Sequence, residues 1–344
     1  MPAARPASLQ PVDADWATDW LTSCGLQVSP PLTAQRIGAG LSNLTYRIED
    51  HAARAWVLRR PPSGKLLASA HDVLREARIV DALSGTAVPV PRIYGARHNA
   101  TGVPWVLMEH LGGVVIDDMD TAARTPIAER ASIGLDMATT LGHVHAVDLE
   151  ETRLQDLASH NPYAPRQLKR WNRQWEASKT GELPALDSLS RRLERAMPAQ
   201  EETTLVHGDF HIKNVITDHG TIVGVLDWEL STLGNPLADL GTLLAYWPAH
   251  GESDISDRTS ASTLPGFPSR AELIDQYATT TGRDTSDVGF WHVLGLWKIA
   301  IIAEGVLRRS LDTPADRART GVPTRDVITS IVSYAHAIAD DASL

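Results

Sequence analysis

Cysteine is almost missing from these 344 residues, with Cys24 standing alone. One thiol excludes an intramolecular disulfide and any zinc knuckle built on paired cysteines. No apolar run reaches the roughly 18 residues of a membrane span. The most apolar late stretch, VLGLWKIAIIAEGVL, is broken by Lys298 and Glu304 and reads as a buried amphipathic helix. Basic residues are in deficit: 32 Lys and Arg against 42 Asp and Glu leave a formal charge of −10. General nucleic-acid binding needs a cationic face, so it is not expected here, and no membrane partner is expected either. The acidic excess is compatible with solubility alone and with attraction of a cationic substrate. The start, MPAARPASLQPVDADW, lacks the apolar run of a secretory signal, and a reduced cytoplasm is the expected setting.

What is present is ordinary globular composition, 43% hydrophobic and 22% charged, in a chain long enough for one large domain or two lobes. Residues 1–12 are rich in Pro and Ala and read as a loose arm. DADWATDWLTSC predicts a short helix capped by Asp13 or Asp15. LTAQRIGAG, LTYRIED, AWVLRRP, VPVPRIYGARH and GVPWVLMEHL read as strands, and HDVLREARIVDALSG as a helix ended by Gly85. From about Thr121 the pattern turns helical, over 126–147, 164–178, 186–197, 236–246, 269–281, 285–309 and 323–341. Strands at 203–206, 214–217 and 222–226 interrupt it. Gly112 and Gly113 mark a hinge, which predicts a small sheet-rich lobe over 1–110 and a larger helical lobe over 111–344. The polar segment HGESDISDRTSASTLPGFPS reads as a surface loop.

The chemistry concentrates in LVHGDFHIKNVITDHGTIVGVLDWE, residues 205–229. A short strand leads into the loop HGDFHIKN, and a hairpin turning at Asp218 to Gly220 follows. A hairpin sets the ends of its strands side by side. Asn214, entering the first strand, therefore lies near Asp227, leaving the second. An amide oxygen beside a carboxylate makes a pair of hard ligands suited to Mg²⁺. Asp209 precedes them in a tight loop, placed to accept a proton from a hydroxyl. This is a phosphoryl-transfer layout, where catalysis is mostly positioning and charge neutralisation. His207, Asp209 and His211 also form H-x-D-x-H, a pattern compatible with a zinc or di-metal hydrolase.

HGDFHIKN followed by LDWE resembles the catalytic and metal-binding loops of the aminoglycoside phosphotransferase and choline kinase family, whose fold is protein-kinase-like. The resemblance covers about residues 33 to 310. It implies a bilobal α+β fold, with a small antiparallel-sheet N-lobe for nucleotide and a larger, mainly helical C-lobe for catalysis and substrate. It also implies ATP and Mg²⁺ as cofactors and transfer to a small-molecule hydroxyl. Asp209 matches the catalytic base, His207 the loop-bracing histidine, and Asn214 and Asp227 the metal ligands. Trp228 stands where the kinase Phe would be, and Asp239 in NPLADLG matches the residue that anchors the catalytic loop.

In the front half, Gly38, Gly40 and Ser42 of IGAGLSNLTYRI occupy the place of a phosphate-covering turn, without the family's third glycine. A plain hairpin turn has the same composition. The expected lysine of the third strand is absent; WVLRR puts Arg59 in its place, with Glu76 as its partner. Arg can hold α- and β-phosphates through its planar fork, whereas two solvated surface charges would do little. Glu109 to Leu111, after the gatekeeper-like Met108, match the hinge that pairs with adenine through backbone groups.

Substrate choice is not written in these loops. In YAPRQLKRWNRQWEASK, Arg166, Lys169, Arg170 and Arg173 make a basic stripe beside Trp171 and Trp175. Solvated charges beside two core tryptophans explain it, and so does an anionic, partly apolar substrate. Arg166, Arg170, Trp171 and Glu229 are the substrate candidates. This segment, with VLRRPPSGKLL and LDWELSTLGNPLADL, looks closest to the kinase-like domains fused to acyl-CoA dehydrogenases, which implies a hydroxyacyl-CoA-type acceptor. An aminoglycoside-modifying kinase would want an acidic cleft, for which GESDISD is the compact candidate. Because the lysine is missing, a non-catalytic nucleotide- or acyl-CoA-binding module stands as the alternative. The oligomeric state is not readable from the chain.

Overall fold

The structure, a computed structural model, describes residues 12–38, 43–62, 72–158, 161–249, 252, 260–312 and 322–344. Most of the arm at 1–12, Gly40 and Ser42, and nearly all of the acidic GESDISD stretch lie outside the described residues. The chain divides into two compact units. Residues 1–84 and 91–111 form the first, and residues 85–90 and 112–344 the second. The short stretch 85–90 counts with the second unit, where the Val225 N–H donates to the Pro89 carbonyl at 2.8 Å.

The first unit is a five-stranded antiparallel sheet flanked by two helices. In chain order it runs α1 (Ala14–Ser23), β1 (Thr33–Ile37), β2 (Leu44–Glu49), β3 (Ala55–Arg60), α2 (Val73–Leu83), β4 (Ile93–His98) and β5 (Pro104–Glu109). The spatial strand order is β1-β2-β3-β5-β4. Asp13 caps α1 by accepting from the Asp15 and Trp16 amides, and Asp72 caps α2 in the same way. The central strands are buried on both faces, and the alternation of side chains sorts them. Trp56, Leu58, Trp105 and Leu107 pack with Trp20 and Leu21 of α1. Val106 packs with Val73 and Ala77 of α2. Each such side chain, withdrawn from water, stabilises the unit by about 1.5–3 kcal/mol. The same alternation decides where the two arginines of β3 go. Arg59 falls on the α2 face, and Arg60 falls on the other, 5.3 Å from the Trp105 ring.

The second unit is mainly helical. It contains α3 (Met119–Arg124), α4 (Ile127–His145), α5 (Tyr163–Ser178) and α6 (Pro184–Arg195), then α7 (Leu237–Ala245), α8 (Arg270–Thr281), α9 (Val288–Asp312) and α10 (Arg325–Asp341). Between α6 and α7 lie two small antiparallel ladders. One pairs β6 (Thr204–Val206) with β9 (Thr232–Gly234); the other pairs β7 (Val215–Asp218) with β8 (Thr221–Val225). Val114 and Thr217 exchange backbone hydrogen bonds at 2.8 Å in both directions, so the chain is fastened to β7 directly after Gly113.

Helix α9 is long and apolar enough to cross a membrane by length and composition, but 67% of its apolar window is buried inside the unit. It packs on α7 so closely that a Cβ at Gly241 would stand 2.3 Å from the Trp291 backbone. A glycine there is a packing requirement. Helix α3 and strand β9, at six and three residues, are too short to show a period in the sequence.

Candidate functional site

The loop HGDFHIKN is fixed from beneath by one buried carboxylate. Asp239, in the first turn of α7, accepts from the His207 amide at 2.5 Å and the Gly208 amide at 2.8 Å. His145 Nε2 stands 3.4 Å from the same carboxylate, and its Nδ1 is 2.8 Å from the Tyr277 hydroxyl. Burial would raise the Asp239 carboxyl, but His145, His207 and the Gly208 amide hold it below its ordinary value. Burial likewise keeps His145 down and neutral, so its contact with Asp239 acts as a hydrogen bond and not as an ion pair. The turn itself needs glycine: Gly208 has φ +86°, and a Cβ there would meet the Leu230 carbonyl at 2.6 Å.

His207 is fully buried and braces the loop with its ring. Its Nε2 donates to the Leu226 carbonyl at 2.9 Å, and its Nδ1 accepts from the Asp209 amide at 3.3 Å. These two bonds commit both ring nitrogens. The Trp228 ring packs against it at 4.7 Å. With both ring nitrogens committed, His207 has none left for zinc, and the hydrolase reading of H-x-D-x-H fails. Among the described residues, no group of three or more His, Cys, Asp and Glu is placed to hold a metal.

Asp209 keeps its side chain 31% exposed, open to a ligand. Asn214 Nδ2 donates to its carbonyl at 2.9 Å and to its carboxylate at 3.3 Å. His211 Nε2 lies 3.4 Å from the same carboxylate oxygen, with its ring against Tyr246 at 4.6 Å. Burial pushes the Asp209 carboxyl up, and His211, His207 and Lys298 more than reverse this, lowering it to about 2. Asp209 is a firmly ionised hydrogen-bond acceptor. His211, Tyr246 and Lys298 join the site; the sequence offered His211 only as a donor of the H-x-D-x-H pattern and gave Tyr246 and Lys298 no role in it.

Strand register supplies the candidate metal pair. Val215 pairs with Val225, and the Leu226 amide donates to the Asn214 carbonyl at 2.8 Å. Asp227, the next residue, adopts left-handed backbone (φ 64°, ψ 61°). That conformation is uncommon away from glycine and is concentrated at functional positions. Because Asn214 commits its nitrogen to Asp209, its Oδ1 is the atom left to act as ligand. This oxygen and the Asp227 carboxylate fit Mg²⁺, which takes one or two protein oxygens and fills the rest of its octahedron with water and phosphate.

In the first unit, Arg59 Nε donates to Glu76 Oε2 at 2.9 Å and Arg59 Nη1 donates to Thr45 Oγ1 at 3.2 Å. Glu76 is buried, at 6% exposure, and also accepts from Asn43 Nδ2 at 3.4 Å. The pair is therefore not a solvated surface bridge. Gly38 is exposed with φ +77°, as a turn residue requires. Glu109 donates its N–H to the Arg92 carbonyl at 2.9 Å, so that amide is already committed inside the first unit.

The basic stripe on α5 splits. Arg166 turns inward and donates to the Leu233 carbonyl at 2.7 Å, stacked 5.7 Å from the Tyr163 ring. This bond ties α5 to β9. Lys169 and Arg173 line a cavity of about 440 Å³ with Leu168 and Met197. Trp175 is buried and donates to Asp187 at 2.9 Å, whereas Trp171 is only half-buried, with Arg170 at 5.5 Å from its ring. Glu229 is half-buried in the 3₁₀ turn after Asp227.

The model of the phosphotransferase enzyme family matches residues 33–273. The chain belongs to that family. Mouse acyl-CoA dehydrogenase family member 10 is 36% identical over 301 residues, which is 86% of this chain and 28% of the relative's length. The chain therefore corresponds to under a third of that protein. A Ralstonia eutropha JMP134 structure named after the aminoglycoside phosphotransferases superposes with a TM-score of 0.77 at 29% identity, covering 94% of this chain and 98% of its own. A thermostable mutant of aminoglycoside phosphotransferase APH(4)-Ia, solved with AMP-PNP and hygromycin B, has a TM-score of 0.59 at 16% identity, over 90% and 94% of the two chains. Similarity at that level shows fold alone. The α+β kinase-like fold expected from the sequence is the fold of this family member.

Proposed function

We propose that this chain is a Mg²⁺-dependent phosphotransferase moving the γ-phosphoryl group of ATP to the hydroxyl of a small molecule. The observation that carries the reading is the Asn214 amide, bonded to Asp209 on one side while the Leu226–Asn214 backbone bond sets Asp227 beside it. Asp209, ionised, accepts a hydrogen bond from the acceptor hydroxyl and aims its oxygen at the γ-phosphorus. The new O–P bond forms, the bridge to the β-phosphate breaks, and the hydroxyl proton passes to Asp209. A carboxylate of pKa about 2 is a weak base, so it receives that proton late, and most of its contribution is orientation. Asn214 and Asp227 would hold Mg²⁺, which when bound would supply neutralisation of phosphate charge. Arg59, steered by Glu76, is the phosphate-holding cation of the first unit, and the Leu111 N–H is its adenine donor.

The family, the likeness to member 10 and the cations on α5 together favour an anionic, partly apolar acceptor, with hydroxyacyl-CoAs first among those to try. A cytoplasmic setting is part of the same proposal. The test is Mg²⁺-dependent ADP release across a panel of hydroxyacyl-CoAs, hydroxy acids and aminoglycosides. Release with an acceptor, absent in Asp209→Asn, supports the reading. The second reading is a nucleotide- or acyl-CoA-binding module without transfer, favoured by arginine in place of the lysine. Mg²⁺-dependent nucleotide binding with no ADP release from any acceptor would favour it.

A further inference from the structure

Lys298 interrupts the apolar run of α9 and is half-buried. Burial lowers its ammonium pKa even though Asp209 and Asp239 lie within electrostatic range, and Arg170 lowers it further. Neither acid is its hydrogen-bonding partner. Asp239 already accepts from two amides, and Asp209 is contacted by Asn214 and His211. Among the described residues Lys298 forms no hydrogen bond and no ion pair; its close partner is the Trp171 ring, 5.7 Å away. Arg170 lies 5.5 Å from the same ring and also has no hydrogen bond or ion pair among the described residues.

Two cations on one half-buried indole repel each other, and the desolvated one loses hydration as well. A chain needing only a core would place an apolar residue at 298. An anion docked between the two would relieve both costs, and the indole would cover apolar atoms attached to it. Polycations would be rejected by the same charges.

We propose that Lys298 and Arg170, set about Trp171, form an anion-reading subsite beside Asp209 that selects acceptors carrying a carboxylate or phosphate next to an apolar segment. This rests on the phosphotransferase reading for its description of the ligand as an acceptor, but the subsite is measurable without transfer. Calorimetry on the full chain, without nucleotide, would compare 3-hydroxyoctanoate, octyl phosphate and the neutral methyl 3-hydroxyoctanoate. The wild type should bind at least one anion about tenfold or more tighter than the ester, and whichever anion is tighter identifies the charged group. Lys298→Gln should abolish the preference without weakening the ester, and Lys298→Arg should restore much of it. A purely structural lysine would change melting temperature and leave the anion-to-ester ratio intact, which overturns the proposal. Equal binding of all three probes by the wild type overturns it too. Should Lys298→Gln not fold, Arg170→Gln must reduce the preference, and raising salt from about 20 to about 500 mM must shrink it in the wild type; failure of either overturns it. Anion preference without ADP release would defeat the phosphotransferase reading and leave the subsite standing, and the reverse result would separate them equally well.

Discussion

His211 Nε2 stands 3.4 Å from Asp209 Oδ2, and this contact changes what Asp209 can do. The carboxyl is lowered to about 2, below the ordinary aspartate range, against the upward pull of burial. For a depressed acid the stabilising charge is complete above the unfolded value and is lost as pH falls through the folded one. Turnover should therefore show no acid limb from Asp209 between about pH 4 and 7, because the group stays ionised throughout. Asp209→Asn should lower turnover by roughly 10²–10⁴ while nucleotide affinity changes little. Steady-state kinetics across pH, with nucleotide titration of the variant, checks both; near wild-type turnover would remove Asp209 from the role.

Asp227 and Asn214 differ in charge, and the difference is testable. Asp227→Ala should abolish Mg²⁺-supported nucleotide binding, since phosphate charge loses its counter-ion's main anchor. Asn214→Ala should weaken it less, because a neutral amide compensates less charge, but turnover should also fall through the lost bond to Asp209. Calorimetry with and without Mg²⁺ decides; intact Mg²⁺ dependence in Asp227→Ala would make the metal assignment wrong.

Asp239 carries the loop, so its loss should appear in stability as well as in rate. Asp239→Ala leaves the buried amides of His207 and Gly208 without their acceptor, at a cost of about 1–3 kcal/mol each. Thermal melting should show a large drop, and Asp239→Asn a smaller one, because an amide oxygen can accept one of the two bonds. A melting temperature unchanged in Asp239→Ala would mean that the loop holds itself.

How far the site was legible depended on what fixed each residue. Asn214 beside Asp227 follows from hairpin geometry alone, and strand alternation by itself places Arg59 and Arg60 on opposite faces. The helices of the second unit end within a few residues of the apolar periods. Lys298 was visible only as a break in an apolar run, because its neighbours Trp171 and Asp209 come from other parts of the chain. Arg166 looked like one member of a cationic stripe, yet the Leu233 carbonyl claims it, and β9, which carries that carbonyl, is too short to announce itself. Local periodicity reveals which face of an element is apolar. It does not reveal which distant group a long polar side chain will reach.

Arg59 bears most directly on whether this family member transfers phosphate, because it is the cation proposed to hold the nucleotide phosphates. Its Nε donates to a buried Glu76 and its Nη1 to Thr45, so two partners orient the guanidinium. Arg59→Ala should weaken ATP binding and lower turnover, and Arg59→Lys should retain part of both, since charge survives while the planar fork is lost. Glu76→Ala should do less harm to ATP binding than Arg59→Ala, and its effect should shrink when Arg59 is already alanine. Side chains in direct contact couple by about 0.5–3 kcal/mol, which the two single variants and the double variant measure by nucleotide titration. Additive losses would show that Glu76 does not act through Arg59. No loss at Arg59 would mean another cation holds the phosphates, and Arg60, stacked on Trp105 from the opposite face of the sheet, is poorly placed to be it.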